Sequence, residues 1–418
     1  MATTEAQESQ LQQPPAALNR QVAVMAVAAG VTVANLYYSQ PILSAIAASF
    51  HASEEQIGTL PVLTQAGYGL GLLLLTPLGD MVDRKKLVVV LEVLLSFALV
   101  GVAAVGSLPA LYVASALVGV LAVSVQVIMP MAAALATKDS KGRVVGIVFT
   151  GALTGILLAR IMSGYVAEWL GWRYVYGISA SLALAAALLV ALSLPTLPTH
   201  HSGSYGALLR STLGQFGRFP LLRRATLLSS LVFGTFCSFW TTLTFHLSGP
   251  PFHYRSDTIG LFGVLAVAGA LAAPVFGRMA DRGNPARTQM LTVGLIVASV
   301  LCVQWLPNSA LAFVAATLLL DVGVQATQVS NLAQIYTLDE TAHSRINTVY
   351  MTTMFIGGAI GTYAGVKSWS LGGWAVVCWQ LLAWSLAALA VVLWSYLAAG
   401  WGDAAAQATP PRAVVRQP

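Results

Sequence analysis

The sequence predicts an all-α integral membrane protein with twelve transmembrane helices in two pseudo-symmetric six-helix bundles. Three observations predict this fold: a composition poor in charge, the regular spacing of apolar segments, and an internal repeat. Apolar residues make up 57% of the chain and charged residues only 9%, whereas a soluble domain carries about 25% charged residues. So few charges cannot cover the surface of a soluble protein of 418 residues, and the remaining apolar surface must face lipid.

The apolar segments are long enough to cross a bilayer, which requires about 20 mostly apolar residues. Twelve such segments occur in two sets of six, at 21–45, 56–78, 87–106, 109–134, 144–166 and 173–194, and then at 225–247, 258–279, 287–306, 309–332, 347–367 and 372–398. The links between them, such as 107–110 and 306–309, are short. Short links make neighbouring helices antiparallel.

These segments divide the chain into an N-terminal bundle at 21–194 and a C-terminal bundle at 225–398. The linker 195–224 ends in a basic, partly amphipathic stretch, which predicts a cytoplasmic loop with a helix on the membrane surface. The terminal stretches 1–20 and 399–418 are polar, and we expect both to be disordered in the cytoplasm.

The basic residues are distributed unevenly between the two sets of links. Most of the 21 Lys and Arg residues fall in links on the same side as both termini, whereas the other side holds Arg173, Arg255 and Lys367. The positive-inside rule therefore predicts a multi-pass protein of the bacterial inner membrane with both termini cytoplasmic. The same asymmetry accounts for the net charge of +6, so we expect the lipid bilayer and no nucleic acid as a partner.

An internal repeat relates the two halves. The stretches GDMVDR at 79–84 and GRMADR at 277–282 both read G-x-M-x-D-R, and Arg143 matches Arg345 at a similar offset. The repeated motif residues are Gly79, Asp83 and Arg84 in the first half and Gly277, Asp281 and Arg282 in the second. In transporters built from such repeats, the substrate site lies near the midplane where the halves meet.

Over residues 20–398 the chain resembles the major facilitator superfamily. The resemblance is carried by GDMVDRKK at 79–86, ANLYYSQPIL at 34–43, GRVVGIVFTGALTGILLARIMSG at 142–164 and RINTVYMTTMFIGGAIG at 345–361. Together these segments resemble the bacterial twelve-helix drug and metabolite efflux branch, whose members are drug:proton antiporter-like. The resemblance implies secondary active, proton-coupled efflux of small amphipathic organic molecules by alternating access.

Two departures from the branch pattern leave other functions open. Ile156 stands where the helix-five antiporter motif has a proline, and the helix-four region at 115–119 has no Arg. An importer or uniporter of a small metabolite on the same fold is therefore the alternative. A membrane sensor or a lipid-modifying enzyme is a different class, and the chain offers no soluble domain or catalytic cluster for either.

No catalytic, metal or cofactor site is predicted. The sequence has no G-x-x-x-x-G-K-[ST] loop, so we do not expect ATP to drive transport. The expected partners are a small-molecule substrate and protons, and a monomer is the default.

The loop motif predicts a gate. The resemblance implies that Asp83 latches the two halves on the cytoplasmic side, with Gly79 allowing a sharp turn and Arg84 beside it. The echo residues Gly277, Asp281 and Arg282 form the matching loop. The alternative is that the motif is only a positive cluster that sets topology.

Two intramembrane charges are candidates for proton coupling. Arg160 lies in an otherwise apolar span, at a cost of roughly 2.5–3.5 kcal/mol on insertion scales. It predicts an anchor for an anionic substrate or a coupling carboxylate, and the alternative is an Arg reaching the headgroups. Asp321 shares a helix face with Gln325 and Gln328. A carboxyl group shielded from water can exchange protons near neutral pH, so Asp321 is the preferred coupling residue. A structural hydrogen-bond network is its alternative, and Glu92 is a weaker rival.

Further polar and aromatic residues lie in spans expected to line a cavity. A site that mixes aromatic side chains with a few amides suits amphipathic organic substrates, although helix packing explains each residue equally well. The predicted cavity residues are Asn35, Tyr38, Gln65, Tyr68, Gln126, Trp240, Gln325 and Tyr350.

Overall fold

The computed structural model describes residues 15–137, 140–196, 203–266, 285–339 and 342–408, which are helical throughout apart from short links. In the N-terminal half, the spans are span 1 (Pro15–Ala34 with Ser39–Phe50), span 2 (Glu54–Met81), span 3 (Arg84–Ala104), span 4 (Leu108–Leu135), span 5 (Lys141–Trp169) and span 6 (Trp172–Ser193). The linker contains one amphipathic helix, Tyr205–Arg218.

The C-terminal half repeats this arrangement. Its spans are span 7 (Pro220–Ser248), span 8 (which begins with Ser256–Leu261), span 9 (Pro285–Trp305), span 10 (Ala310–Ile335), and spans 11 and 12, which run on as His343–Ala408. The last helix is broken at Gly372 and Gly373, where Gly373 has a φ of 63°. A left-handed backbone of this kind favours glycine, and it separates two predicted spans.

The all-α fold is confirmed. Within the described ranges, nine helices are long and apolar enough to cross a membrane, or ten if the bent first pair is one span. The last of these holds two predicted spans, and the eighth predicted span lies partly outside the described residues. The observed helices therefore fit the predicted twelve.

Span 1, predicted as one apolar segment at 21–45, is bent. Its two helices meet at 41°, and the turn occupies residues 35–38. The bend lies just before Pro41 because proline lacks an N–H group and fits only the first turn of a helix. Span 4 is interrupted in the same way at residues 122–123.

Glycines set a close helix crossing at matching places in the two halves. A Cβ atom at Gly155 of span 5 would lie 2.2 Å from the carbonyl oxygen of Gly30 in span 1. In the second half, a Cβ atom at Gly361 of span 11 would lie 2.3 Å from the carbonyl oxygen of Gly234 in span 7. Spans 7 and 11 are the repeat partners of spans 1 and 5, so the same backbone approach occurs twice.

The spans have two ends, which we call the linker end, where the helix Tyr205–Arg218 lies, and the far end. The halves meet at the far end and through the middle. Ser44 donates a hydrogen bond to Ser248 over 2.9 Å, and Lys367 forms an ion pair with Glu55. These contacts bring spans 1 and 2 against spans 7 and 11.

Candidate functional site

Arg160 lies between the two halves, near the middle of the molecule. Its side chain is only 1% exposed, and its Nε donates a hydrogen bond of 2.9 Å to Oε1 of Gln40 in span 1. Its guanidinium carbon lies 4.0 Å from the ring centroid of Trp240 and 4.8 Å from that of Tyr37. The third ring, that of Phe236, is 5.8 Å away. Aromatic faces stabilise a cation that has been withdrawn from water.

Trp240 joins Arg160 to the second buried charge. Its indole Nε1 donates a 3.3 Å hydrogen bond to Oδ1 of Asp321 in span 10, and Asp321 is 2% exposed. Arg160 and Asp321 interact electrostatically, but within the described residues no direct salt bridge joins them. One indole therefore contacts a cation from the first half with its face and an anion from the second half with its N–H group.

Several polar atoms of this cluster have no hydrogen-bond partner among the described residues. They are Nη1 and Nη2 of Arg160, Nε2 of Gln40 and Oδ2 of Asp321. Buried polar groups are normally paired, and leaving one unpaired costs roughly 1–3 kcal/mol, with more for a charged group. The cluster therefore has hydrogen-bonding capacity to offer to a ligand.

The local fold brings these residues together. The bend of span 1 at residues 35–38 places Tyr37 and Gln40 on either side of a change in helix direction. On the other side, the first turns of span 8 press against Arg160, since a Cβ atom at Gly260 would lie 2.5 Å from the carbonyl oxygen of Arg160. A Cβ atom at Gly263 would lie 2.8 Å from its Cβ. These glycines thus let span 8 pack closely against the backbone and the aliphatic part of Arg160.

The polar stripe of span 10 extends from the cluster towards the linker end. Gln325 and Gln328 are half-buried, and Nε2 of Gln328 lies 2.8 Å from the sulfur of Met354 in span 11. The stripe thus leads from Asp321 along the second half.

Two predicted cavity residues join the halves. Oε1 of Gln65 in span 2 accepts a 2.9 Å hydrogen bond from Thr362 in span 11. The ring of Tyr68 lies 4.4 Å from that of Phe355 in the same span. Gln126 is half-buried and lies beside Tyr68.

The other predicted cavity residues pack within one half. Oδ1 of Asn35 accepts a 2.8 Å hydrogen bond from Ser179 in span 6, and Tyr350 is hydrogen-bonded to Ser229. Tyr38 borders an apolar groove of about 440 Å³ between spans 1, 5 and 6.

The loop motif forms a compact turn at the linker end. Arg84 donates to the carbonyl oxygen of Gly79 over 3.0 Å and pairs with Asp80 over 3.0 Å. Asp83 caps its own helix, span 3, by accepting a 3.0 Å hydrogen bond from the backbone N–H of Lys86. The echo residues Gly277, Asp281 and Arg282 lie outside the described residues.

Glu92, the weaker rival of Asp321, is fully buried within the first half. Its Oε1 accepts hydrogen bonds from the hydroxyls of Thr32 in span 1 and Ser124 in span 4. Both hydroxyls lie beside the breaks in those spans, so Glu92 connects the two bent helices of its own half.

Several residues that lie between the two halves have no strong signal in the sequence. Gln40 is one, and its only sequence signal was its place in the polar stretch before Pro41. Glu54 is another, since it accepts a 2.5 Å hydrogen bond from Trp369 beside the ion pair of Glu55 and Lys367. Glu54 and Glu55 are far from Lys367 and Trp369 in the sequence, so no local pattern predicts these contacts.

Comparisons with known proteins agree with this architecture. The family profile described as Major Facilitator Superfamily matches residues 25–362. The uncharacterized transporter YgaY of Escherichia coli O157:H7 is 37% identical over 357 residues, which cover 85% of this chain and 91% of that protein. A protein of Helicobacter acinonychis, named a probable sugar efflux transporter, is 26% identical over 63% of this chain and 66% of its own length.

A solved structure shows the same fold. It is a bacterial homolog of the human lysosomal transporter Spinster, with a TM-score of 0.69 and 14% sequence identity, covering 93% of this chain and 96% of that one. Fold, profile and relatives agree, and the chain belongs to the Major Facilitator Superfamily as a multi-pass membrane transporter rather than an enzyme.

Proposed function

We propose that this protein is a proton-coupled secondary transporter that moves small amphipathic organic solutes across the bacterial inner membrane by alternating access. Asp321 is the proton-coupling residue in this proposal, and Arg160 is its partner across the two halves. The observation that carries the proposal is the buried cluster of Arg160, Trp240 and Asp321, in which a cation of one half and an anion of the other meet a single indole.

The burial of both charges gives the coupling its physical basis. Removing one charge from a buried pair leaves the other uncompensated, which costs about 3–5 kcal/mol when the partner is lost by mutation. Protonation of Asp321 likewise removes one of the two charges and leaves Arg160 uncompensated. The free energy that holds the two halves together around Trp240 therefore depends on whether the proton is bound.

The groups facing this carboxylate support a single proton site. Among the described residues, Arg160 is the charged group that interacts most strongly with Asp321. The other titratable groups around the cluster there are Tyr37, Tyr68 and Cys237. The phenol and thiol groups are neutral in water at physiological pH. Asp321 is therefore the member of the cluster suited to exchange protons.

Alternating access is supported by where the halves touch. Hydrogen bonds and ion pairs join the halves from the far end as far as Gln65, and ring contact continues to Tyr68. Nearer the linker end than Tyr68, Leu70 and Leu74 of span 2 are 49% and 41% exposed. The contacts between the described residues of the two halves therefore close this conformation at the far end.

The proposed orientation puts the linker end in the cytoplasm. Most of the described Lys and Arg residues lie at that end, among them Arg84, Lys141, Arg218 and Arg287. Under the positive-inside rule this distribution supports cytoplasmic termini. The conformation would then be closed to the outside, with a monomer as the transporting unit.

Export is the first direction we propose, since the Helicobacter acinonychis relative is named for sugar efflux. Export in exchange for protons requires that solute and proton compete for the cluster. Uptake is the second candidate, and one observation favours it. The unpaired nitrogens of Arg160 suit an acceptor group, and such a group binds more readily when Asp321 is protonated, so solute and proton would travel together.

Proton flux in membrane vesicles tests the function. Everted vesicles containing the protein are energised until a pH-sensitive acridine dye is quenched, and a panel of small organic solutes is then added. We expect at least one solute to change the quench in wild-type vesicles and none to do so with Asp321→Asn. Asp339→Asn, at the surface pair with Arg218, is the control and should behave as wild type.

The direction of the fluorescence change separates the two candidates. Exchange carries protons out of the everted vesicles as solute enters them, and the dye recovers. Co-transport of solute and proton into the vesicles deepens the quench. Solute-dependent proton flux of normal rate in the Asp321→Asn protein would refute the assignment of the coupling residue.

A further inference from the structure

The buried cluster has many more free donors than free acceptors. Nη1 and Nη2 of Arg160 and Nε2 of Gln40 are unpaired donor atoms, and Oδ2 of Asp321 is the unpaired acceptor, among the described residues. Guanidinium and amide nitrogens carry N–H groups and no acceptor lone pair. A ligand that satisfies this cluster must therefore bring acceptor oxygens.

The geometry points to an organic carboxylate as the solute, and we propose that its carboxylate binds Nη1 and Nη2 of Arg160. Guanidinium and carboxylate match as a bidentate pair, with two parallel N–H···O bonds. The Nε of Arg160 is already bonded to Gln40, which orients the guanidinium and leaves Nη1 and Nη2 without a hydrogen-bond partner among the described residues. The amide of Gln40 offers a further donor beside it.

The walls of the cluster favour a planar or aromatic body attached to that carboxylate. Tyr37, Phe236 and Trp240 all lie within 6 Å of the guanidinium carbon. Aromatic side chains bury flat apolar groups well and stack with them. Polar recognition through Arg160 and apolar recognition through three rings therefore select an amphipathic organic anion.

The identity of the solute bears on Asp321. Ionised Asp321 neutralises the cluster and repels a second anion, whereas its neutral form leaves Arg160 uncompensated and ready to bind one. A carboxylate solute therefore corresponds to the uptake candidate, in which solute and proton travel together. This inference rests on the proposed function for its link to protons, but binding itself needs no gradient. The two can therefore fail separately.

Equilibrium binding to the purified full-length protein tests the proposal. Radiolabelled benzoate is the probe, and benzamide and benzamidine are its neutral and cationic competitors with the same ring. We expect saturable benzoate binding that benzamide and benzamidine do not displace. Arg160→Gln should weaken it about tenfold to a hundredfold, as expected for lost hydrogen bonds to a charged group, and Arg160→Lys should retain part of it.

Two further variants separate this proposal from the coupling assignment. Asp321→Asn should bind benzoate at least as tightly as wild type even though its proton flux is lost. Arg173→Gln removes an exposed guanidinium at the far end and should leave binding unchanged. Thermal melting in detergent identifies any variant that fails to fold. If Arg160→Gln does not fold, the benzoate affinity of Arg160→Lys is compared with that of the wild type instead.

Several outcomes would overturn the inference. They are the absence of saturable benzoate binding, displacement by benzamide or benzamidine as strong as by unlabelled benzoate, and wild-type affinity in both folded Arg160 variants. If Asp321→Asn loses proton flux but no saturable benzoate binding is found, the proposed function stands. Only the proposal that the solute is a carboxylate then fails.

Discussion

Trp240 combines two interactions that are usually made by separate residues. Its ring face lies 4.0 Å from the guanidinium carbon of Arg160, and its N–H group bonds Asp321 over 3.3 Å. A cation–π contact of a desolvated Arg is worth about 2 kcal/mol, and a hydrogen bond to a charged group about 1.5–3 kcal/mol. The indole therefore stabilises both charges by comparable amounts.

Replacing this indole by phenyl separates its two roles. Trp240→Phe keeps an aromatic face for Arg160 and removes the donor to Asp321, so we expect solute-dependent proton flux to fall by about tenfold while benzoate binding remains. The matched control is Trp374→Phe. Trp374 is also buried and donates a 3.3 Å hydrogen bond, to the carbonyl oxygen of Val303, away from the cluster. Equal loss of flux in both variants would contradict the special role of Trp240.

At this scale the sequence singles out two intramembrane charges but does not predict how they meet. Arg160 and Asp321 stand out because each interrupts an apolar span, and hydropathy is a local property. Their meeting through Trp240 depends on the packing of spans 5, 7 and 10, which residue spacing along the chain does not encode. The pairing of Gln40 with Arg160 was out of reach for the same reason.

At the scale of the element, close helix packing depends on small residues at defined positions. Gly151 and Gly155 of span 5 pack on span 1, where a Cβ atom at Gly151 would lie 2.4 Å from the carbonyl oxygen of Ala26. Small residues at such spacing let two backbones approach within a membrane. Both glycines precede Ile156 in the helix-five segment compared with the antiporter motif, and their packing partner in span 1 came only from the structure.

A single methyl group tests this packing. Gly155→Ala places a Cβ atom 2.2 Å from the carbonyl oxygen of Gly30, and overpacking of this kind costs about 1–3 kcal/mol. We expect a lower thermal midpoint in detergent, measured by the loss of the monodisperse chromatography peak on heating. Gly146→Ala lies in the same helix with open space around its Cβ atom, so it should melt at or above the wild-type temperature. Similar melting of both variants would rule out the close approach.

The bends in spans 1 and 4 mark the limit of prediction at this scale. Hydropathy identified both segments as single spans, because a short turn between apolar stretches does not change the average. The turn of span 1 occupies residues 35–38, just before Pro41. At this turn the amide nitrogen of Asn35 donates hydrogen bonds to the carbonyl oxygens of Val31 and Thr32.

At the scale of the whole molecule, the halves are joined by weak contacts at the far end. Exposed ion pairs such as Lys367 with Glu55 contribute about 0–1 kcal/mol each, and a serine pair adds about 1 kcal/mol. Weak contacts of this kind suit a gate, because they can be exchanged for solvent when the halves rotate. The repeat predicted two halves, whereas the hydrogen bonds and ion pairs that join their described residues at the far end are a property of the assembled molecule.

Covalent closure of the far end provides the last test. Ser44 and Ser248 lie on opposite halves with their hydroxyl oxygens 2.9 Å apart, a separation compatible with a disulfide between cysteines at these positions. Cys237, Cys302 and Cys378 are first replaced by serine or alanine. In that background we expect Ser44→Cys with Ser248→Cys to crosslink under mild oxidation and to stop solute-dependent proton flux, and a reducing agent should restore it. Each single cysteine variant controls for oxidation alone. Undiminished flux in the crosslinked protein would mean that transport does not require the halves to part at the far end.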